Sequence, residues 1–190
     1  MLLPANVIRY QITDGSAAVD EDAWFERMRR DVDFIQIREP ALHAGHLAKI
    51  VRRAMALGPA ILVNDRADVA IACGATGVHL RSGSVSPRQI SRAGLVISVA
   101  CHNAEDVKKA EGADYIVLAP VFQPLSKSPD REPLGLKTLR EIAATCPIPI
   151  IALGGITEKN ATQCLEAGAT GVAGITLFGG ADFRSARLTS

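Results

Sequence analysis

Polar residues that could bind a metal or a phosphate directly follow two short apolar runs. The run Ile61–Val63 leads into Asn64 and Asp65, and the run Gly77–Leu80 leads into Arg81. Carboxylate and amide oxygens are suitable ligands for Mg²⁺, with water and a diphosphate completing the octahedron. The alternative is structural, because an aspartate in this place can also be the N-cap of the helix that follows. The residues themselves support both interpretations equally.

Gln36 and Arg38 form a second candidate site on another apolar run. They are two residues apart, so both side chains point to the same face of a strand. Arginine binds phosphate and carboxylate groups through two parallel hydrogen bonds, which predicts an anion site if this face is the functional one. In the alternative interpretation Arg38 is buried and pairs with Glu39 or Asp65 for structural reasons.

Two glycine-containing stretches, Gly154-Gly155 and Gly174-Ile175-Thr176, predict a phosphate-binding site. Glycines allow backbone N–H groups to approach an anion, and the N-terminus of a following helix adds positive potential. In the alternative interpretation these glycines only allow tight turns. Lys127 lies on the long loop 123–133, whose length and prolines suit a lid that could bring this cation to a ligand.

His79 and His102 are the candidates for proton transfer. Each lies at or just after the end of an apolar run, and histidine is the usual proton shuttle near neutral pH. The alternative for both side chains is simple packing against neighbouring strands.

These candidates need a fold that brings the ends of several strands together. Eight β-branched runs alternate strictly with helical segments, which predicts an α/β protein with one domain, residues 1–190, folded as a compact (β/α)8 TIM barrel. The active site of such a barrel lies at the C-terminal ends of its strands. An open doubly wound sheet is the alternative, but no G-x-G-x-x-G motif follows the first strand.

The predicted strands are Ile8–Thr13, Phe34–Arg38, Ala60–Asn64, Gly77–Leu80, Val96–Cys101, Tyr115–Ala119, Ile148–Leu153 and Gly171–Ile175. The predicted helices are Asp22–Arg30, Ala41–Leu57, Ala67–Cys73, Pro87–Ala93, Ala104–Glu111, Leu136–Thr145, Glu158–Ala167 and Asp182–Arg187.

Composition excludes several classes of protein. The 48% of hydrophobic residues include few aromatics, only 4% of the chain, which suits parallel strands covered by helices. A net charge of +1 argues against a nucleic-acid surface. No apolar segment is long enough to cross a membrane and no secretory signal begins the chain.

The four cysteines form no CxxC pair, so we expect reduced thiols in a cytoplasmic protein, with small-molecule partners. A homo-oligomer is compatible with the sequence, which does not specify an oligomeric state.

Short motifs along nearly the whole chain resemble the thiamine phosphate synthase / TenI family. The matching stretches, in order, are Tyr10–Asp14, Phe34–Glu39, Val63–Asp68, Gly77–Leu80, Gly112–Tyr115, Pro120–Phe122, Ala152–Ile156 and Gly168–Val172. Each motif is short, but together and in this order they are highly specific. The resemblance implies a (β/α)8 barrel, in agreement with the alternation of strands and helices.

The resemblance also implies a chemistry and a set of site residues. In the synthases an aminomethyl-pyrimidine diphosphate loses diphosphate with the help of Mg²⁺, and a thiazole phosphate captures the resulting cation. By position, Asp65 would be a magnesium ligand. The residues that match the family's substrate and phosphate contacts are Gln36, Arg38, Asn64, Lys127, Gly154, Gly155, Ile175 and Thr176.

Several departures favour the TenI branch over the synthases. The second metal ligand of the synthases is an aspartate at the position of Ser84, and a lysine of the synthases is replaced by Pro40. The stretch Ser82–Pro87 is similar to the TenI branch, whose members are thiazole tautomerases that move a proton and need no metal. A histidine of that branch is replaced by Pro120, so His79 or His102 would substitute for it.

Three functions follow from the resemblance. The main hypothesis is a thiazole phosphate tautomerase without a cofactor, in which Arg38 and one of the two histidines are catalytic. The alternative is a divergent thiamine phosphate synthase that uses Mg²⁺, a thiazole phosphate and a pyrimidine diphosphate. The second alternative is a protein that binds a thiazole or thiamine phosphate without catalysis.

Overall fold

The computed structural model describes residues 6–29, 31–90, 94–123 and 131–178. Eight parallel strands hydrogen-bond in chain order, β1 to β8, and β8 pairs with β1 to close a barrel. The strands are β1 Ile8–Ile12, β2 Phe34–Ile37, β3 Ala60–Asn64, β4 Gly77–Leu80, β5 Val96–Cys101, β6 Tyr115–Leu118, β7 Ile150–Ala152 and β8 Gly171–Gly174. The predicted (β/α)8 barrel is therefore confirmed.

A helix follows each of the first seven strands. The helices are α1 Glu21–Glu26, α2 Ala44–Met55, α3 Ala67–Cys73, α4 Pro87–Ile90, α5 Ala104–Lys109, α6 Gly135–Ala143 and α7 Ala161–Glu166. Most predicted elements are longer than the observed ones by one to a few residues at their ends, where pairing and helical bonding are incomplete. Thr13, Ala119 and Leu153 follow the last residues of their strands, although each still donates one backbone hydrogen bond to the neighbouring strand. The predicted helix Asp182–Arg187 lies outside the described residues.

Alternation along each strand divides the core into two layers. One set of side chains points into the barrel and forms a small inner core of Tyr10, Ile12, Leu62, Val117, Ile151 and Ala173. The other set points outward and packs against the helices, and it forms the larger outer core. The near-continuous apolar character of the strands follows from this burial on both faces.

The four cysteines belong to the outer core or pack against it. Cys101 and Cys164 are buried, and burial raises the pKa of their thiols to about 12 and about 11. All four cysteines are free, as expected for reduced thiols. Within the described ranges, no helix has the length and apolar character that a membrane span requires.

Candidate active site at the barrel mouth

A buried carboxylate organises the loop between β1 and α1. Glu39 accepts hydrogen bonds from the Thr13 hydroxyl at 2.6 Å, from the Trp24 indole at 2.7 Å and from the backbone N–H of Gly15 and Ala17. Four donors on one carboxylate compensate its desolvation. Glu39 therefore fixes this loop at the edge of the barrel mouth, which is the end of the barrel where the C-termini of the strands lie.

Arg38 is free to face the mouth because its two suggested structural partners are engaged elsewhere. The structure contradicts the pairing of Arg38 with Glu39 or Asp65, since Glu39 binds the β1–α1 loop and Asp65 binds Arg81. The Arg38 side chain is exposed, and its charge is one of the influences that lower the pKa of His79. Its position near His79 is consistent with the predicted anion site.

Gln36 and Asn64 meet inside the barrel, on neighbouring strands. The Gln36 Nε2 group donates to Asn64 Oδ1 at 2.9 Å. The Gln36 side chain is buried, and its Oε1 atom has no hydrogen-bond partner within the described part of the chain. An unpaired buried acceptor is costly, so this oxygen is suited to a ligand donor.

His79 lies at the same depth and is held neutral by burial. It pairs in register with Asn64, and its Nδ1 atom lies 3.1 Å from the Ser98 hydroxyl. Burial lowers the pKa of His79 from 6.5 to about 4, although the Asp65 charge opposes this. Burial also raises the pKa of the neighbouring Tyr10 hydroxyl well above its usual range. Both groups therefore keep one protonation state near neutral pH.

Asp65, Arg81 and Ser84 form a hydrogen-bonded group that we call the Asp65 cluster. The Ser84 hydroxyl donates to Asp65 Oδ1 at 2.6 Å, and Arg81 Nε and Nη2 reach Oδ2 at 2.7 and 2.6 Å. Partial burial would raise the pKa of Asp65, but the hydrogen bonds from Ser84 and Arg81 and the Arg81 charge lower it below its usual value.

The suggested role of Asp65 as a helix N-cap is wrong. Arg66 occupies the N-cap position of α3 and makes no side-chain cap hydrogen bond, whereas the Asp65 side chain points towards the end of β4. Asp65 has a positive φ of 57°, a conformation that aspartate tolerates better than most residues. Such backbone conformations are frequent at functional sites.

The residues after β3 and β4 do not fit the magnesium site that the family resemblance implies. Both oxygens of Asp65 already accept short hydrogen bonds, and Ser84 offers a hydroxyl where a second carboxylate would be needed. Across the described ranges there is no group of three or more His, Cys, Asp and Glu side chains that could hold a metal ion.

His102 follows β5 and is oriented from β6. Its Nδ1 atom lies 2.7 Å from the carbonyl oxygen of Ala119, the residue before Pro120, and its backbone N–H donates to Asp106. A carbonyl oxygen can only accept a hydrogen bond, so Nδ1 carries the hydrogen. In the neutral ring the lone pair therefore lies on Nε2, and the side chain is only half-buried.

Gly154 and Gly155 lie in close contact with the segment that follows β6. Both have a positive φ, of 97° and 61°. A Cβ atom would lie 2.6 Å from Pro120 Cβ at the first position and 2.3 Å from the Gln123 oxygen at the second. Tight geometry therefore requires glycine at both positions, and the phosphate contact stays a prediction.

Ile175 and Thr176 follow β8 and face a different part of the mouth. They line a cavity of about 320 Å³ together with Thr13, Asp14 and Arg27. Both residues are exposed. Lys127, the remaining predicted phosphate contact, lies outside the described residues, as does most of the loop 123–133.

Sequence reasoning missed the contacts that give several of these residues their roles. The sequence shows Arg81 only as a polar residue after a strand, whereas in the structure it neutralises Asp65. No sequence signal identifies Ser98 and Tyr10, because a serine or tyrosine inside an apolar strand has no distinctive spacing. The sequence suggests Glu39 only as a partner of Arg38. The available signal for its actual role is the single tryptophan, Trp24, because a buried indole N–H needs an acceptor.

Comparison with known proteins places this barrel in a family. A family model described as Thiamine monophosphate synthase matches residues 10–178. The thiamine-phosphate synthase of Methanoregula boonei is 38% identical over 153 residues, 76% of this chain and 71% of the relative. That of Archaeoglobus fulgidus is 34% identical over 182 residues, 91% of this chain and 86% of the relative.

A solved structure supports the same assignment. The thiamine phosphate pyrophosphorylase from Pyrococcus furiosus superposes with a TM-score of 0.77 at 28% identity, covering 94% of this chain and 90% of its own. Since the family match extends from the first strand of the barrel to the residues after the last, the chain belongs to the TMP-TENI family of thiamine biosynthesis, the family of thiamine monophosphate synthase.

Proposed function

We propose that this chain binds a thiazole phosphate at the barrel mouth and catalyses a proton transfer on it, as a tautomerase. The observation that carries the proposal is the tautomer of His102, a half-buried residue in which the contact of Nδ1 with the Ala119 carbonyl leaves the lone pair on Nε2. A tautomerisation removes a proton from one substrate atom and returns one to another. It therefore requires a base and a binding site but neither a metal nor a second substrate.

The two histidines have different roles in this proposal. His102 accepts and returns the proton, because the hydrogen bond of Nδ1 to the Ala119 carbonyl leaves the lone pair on Nε2. His79 is held neutral by burial and does not change its charge, so that it orients the ligand rather than exchanging protons with solvent. The contact of His102 with the carbonyl of Ala119 places its ring next to Pro120.

The substrate phosphate would be held by groups on two sides of the mouth. Arg38 supplies an exposed guanidinium at the end of β2, and Gly154, Gly155 and Thr176 follow β7 and β8. The backbone N–H of Gly155 has no acceptor within the described residues, so it is available to an anion.

Thiamine phosphate synthesis is the second candidate, and the names of the relatives favour it. The relatives from Methanoregula boonei and Archaeoglobus fulgidus are both named thiamine-phosphate synthase. The Asp65 cluster argues the other way, because the carboxylate that would bind Mg²⁺ is already bound to Arg81 and Ser84. Stabilising a departing diphosphate without that metal would require other positive charges.

One pair of assays separates the two candidates. The protein is given the unaromatised thiazole carboxylate phosphate alone, and in parallel an aminomethyl-pyrimidine diphosphate with thiazole phosphate and Mg²⁺. We expect conversion in the first mixture. Formation of thiamine phosphate in the second mixture at an enzyme-like rate, without conversion in the first, would overturn the proposal. Binding of thiazole phosphate in a calorimeter without either reaction would instead identify a non-catalytic binding protein.

The His102→Asn variant tests the proposed proton acceptor. Asparagine keeps an N–H group that can donate to the Ala119 carbonyl, but it has no basic nitrogen. We expect the turnover number to fall by about 10²- to 10⁴-fold, the usual contribution of a general base, while thiazole phosphate affinity is retained. The exposed His43→Asn substitution is the control. Unchanged turnover in His102→Asn would eliminate this role.

A further inference from the structure

The Asp65 cluster contains a cation of its own. Arg81 reaches one oxygen of Asp65 with two nitrogens, and Ser84 holds the other oxygen. The Asp65 side chain is only 16% exposed, whereas that of Arg81 is 72% exposed. The guanidinium therefore covers the carboxylate, the pair has no net charge, and the N–H groups of Arg81 that Asp65 does not bind are left for an anion at the mouth.

The geometry of the cluster leaves no ordinary place for a divalent cation. Mg²⁺ requires about six oxygen ligands in near-octahedral geometry, and it binds protein sites chiefly through carboxylates. To bind the metal, the Asp65 carboxylate would have to give up its hydrogen bonds with the Arg81 guanidinium and the Ser84 hydroxyl. Arginine cannot lose its charge in proteins, so Arg81 would also repel the incoming ion.

Ser84 occupies the position where a second carboxylate would complete a metal site. Its hydroxyl lies 2.6 Å from Asp65 Oδ1, so an aspartate at position 84 would place its carboxylate beside that of Asp65. Two adjacent carboxylates repel each other unless a cation lies between them. Arg81 and Ser84 together therefore determine which cation the cluster holds.

We propose that the Arg81 guanidinium takes the electrostatic place of a divalent cation in this chain, so that anions bind at the mouth without metal. The N–H donors that Arg81 does not use for Asp65 suit the oxygens of a phosphate monoester, whereas a magnesium ion can bridge the two phosphates of a diphosphate. The proposal deepens the proposed function but does not depend on proton transfer. It can therefore fail or hold independently of the tautomerase assay.

Metal binding by engineered variants tests the proposal directly. Mn²⁺ prefers the same oxygen ligands as Mg²⁺ and can be followed by electron paramagnetic resonance. We expect the Arg81→Ala/Ser84→Asp variant to bind one Mn²⁺ at least about tenfold more tightly than the wild-type protein, because it has two carboxylates and no competing charge. Equal Mn²⁺ affinity of the two proteins would overturn the proposal.

A matched variant isolates the charge of Arg81. Arg81→Lys/Ser84→Asp adds the same carboxylate but keeps a positive charge, so its Mn²⁺ affinity should stay near that of the wild-type protein. Circular dichroism verifies that both variants are folded. If the double variants do not fold, Arg81→Ala alone is compared with Arg81→Lys, and tighter Mn²⁺ binding is expected only for the alanine variant. No difference within that pair would contradict the proposal.

Anion binding by the wild-type protein provides a second measurement. Inorganic phosphate is titrated into the protein once with EDTA and once with Mg²⁺. The proposal requires affinities that agree within about twofold, because no metal takes part in the contact. Phosphate binding that disappears in EDTA would show that a metal is needed and would overturn the proposal.

Discussion

Two sides of the barrel mouth are built in different ways. The charged side follows β3 and β4 and consists of the Asp65 cluster, whose side chains bind one another. The glycine side follows β7 and contains Gly154 and Gly155, which lie in close backbone contact with Pro120 and Gln123. Charged and polar side chains therefore determine the chemistry of the charged side, whereas close packing of backbone atoms determines the geometry of the glycine side.

The difference bears on how a barrel of this family can change its chemistry. On the charged side, the exposed Arg81 and the hydroxyl of Ser84 can be exchanged for other side chains without a contact between backbone atoms. Substituting a glycine on the other side forces backbone atoms apart. We therefore expect changes in reaction type to arise on the charged side, and phosphate binding to be retained on the glycine side.

Gly155→Ala should have the largest effect on stability. The new Cβ atom would lie 2.3 Å from the Gln123 oxygen, and φ is positive, so we expect a loss of about 3 kcal/mol or more in urea unfolding. Gly83→Ala is the control on the charged side, because φ is also positive but no atom lies within 4 Å. It should cost only about 1–2 kcal/mol. Equal costs would refute the contrast between the two sides.

His79 should make stability depend on pH. The unfolded chain binds a proton at this histidine near pH 6.5, but the folded protein binds it only near pH 4. Its contribution is therefore fully present above pH 6.5 and is lost as the pH falls towards 4, by about 3 kcal/mol. Between pH 7 and 4, His79→Asn should lose less stability than the wild-type protein by this amount. His43→Asn, on the exposed surface, should keep the wild-type slope; parallel curves for His79→Asn would contradict the prediction.

Asp65→Asn should have a smaller effect on stability. Asparagine tolerates the positive φ of this residue but removes the charge that Arg81 binds. Because Arg81 is largely exposed and screened by solvent, we expect a cost of only about 1 kcal/mol in urea unfolding. Asp68→Asn breaks the exposed pair with Arg66 and should cost less. A larger loss in Asp68→Asn would mean that the cluster adds nothing beyond a surface ion pair.

Arg38→Ala should change stability least. The side chain is exposed and forms no ion pair with the described residues, so the unfolding free energy should change by less than about 0.5 kcal/mol. Affinity for inorganic phosphate should nevertheless fall about tenfold, as for the loss of one charged contact. Arg52→Ala, on the outer helix α2, should leave phosphate affinity unchanged. Equal affinities of Arg38→Ala and the wild-type protein would refute a role for Arg38 at the mouth.

Much of the fold could be predicted from local patterns. Four elements have the predicted bounds, namely β3, β4, β5 and α3. The strands are well defined because β-branched runs end in polar residues, and α3 is well defined because Gly74 ends it. The ends of the seventh strand were less predictable. Ile148 and Leu153 continue the apolar run, but they lie beyond the residues that pair with β6 and β8.

The candidate site was predicted in part. Position in the chain identified Gln36, Asn64 and His79 as residues near the C-terminal ends of strands, and the closed barrel brings them together. Position could not indicate that Glu39 would bind the Trp24 indole or that His102 would bind the Ala119 carbonyl. These contacts join residues 15 and 17 positions apart, and they depend on how the loops pack.

The sequence by itself determined the barrel, the family and the set of polar residues at the strand ends, because strand alternation and short motifs are local properties. Only the tertiary structure decided what those residues bind. Asp65 could have capped a helix, held a metal or paired with Arg38, and the register of β3 against β4 places it instead beside Arg81 and Ser84. A carboxylate binds the nearest strong donors, and proximity between strands is a property of the folded barrel.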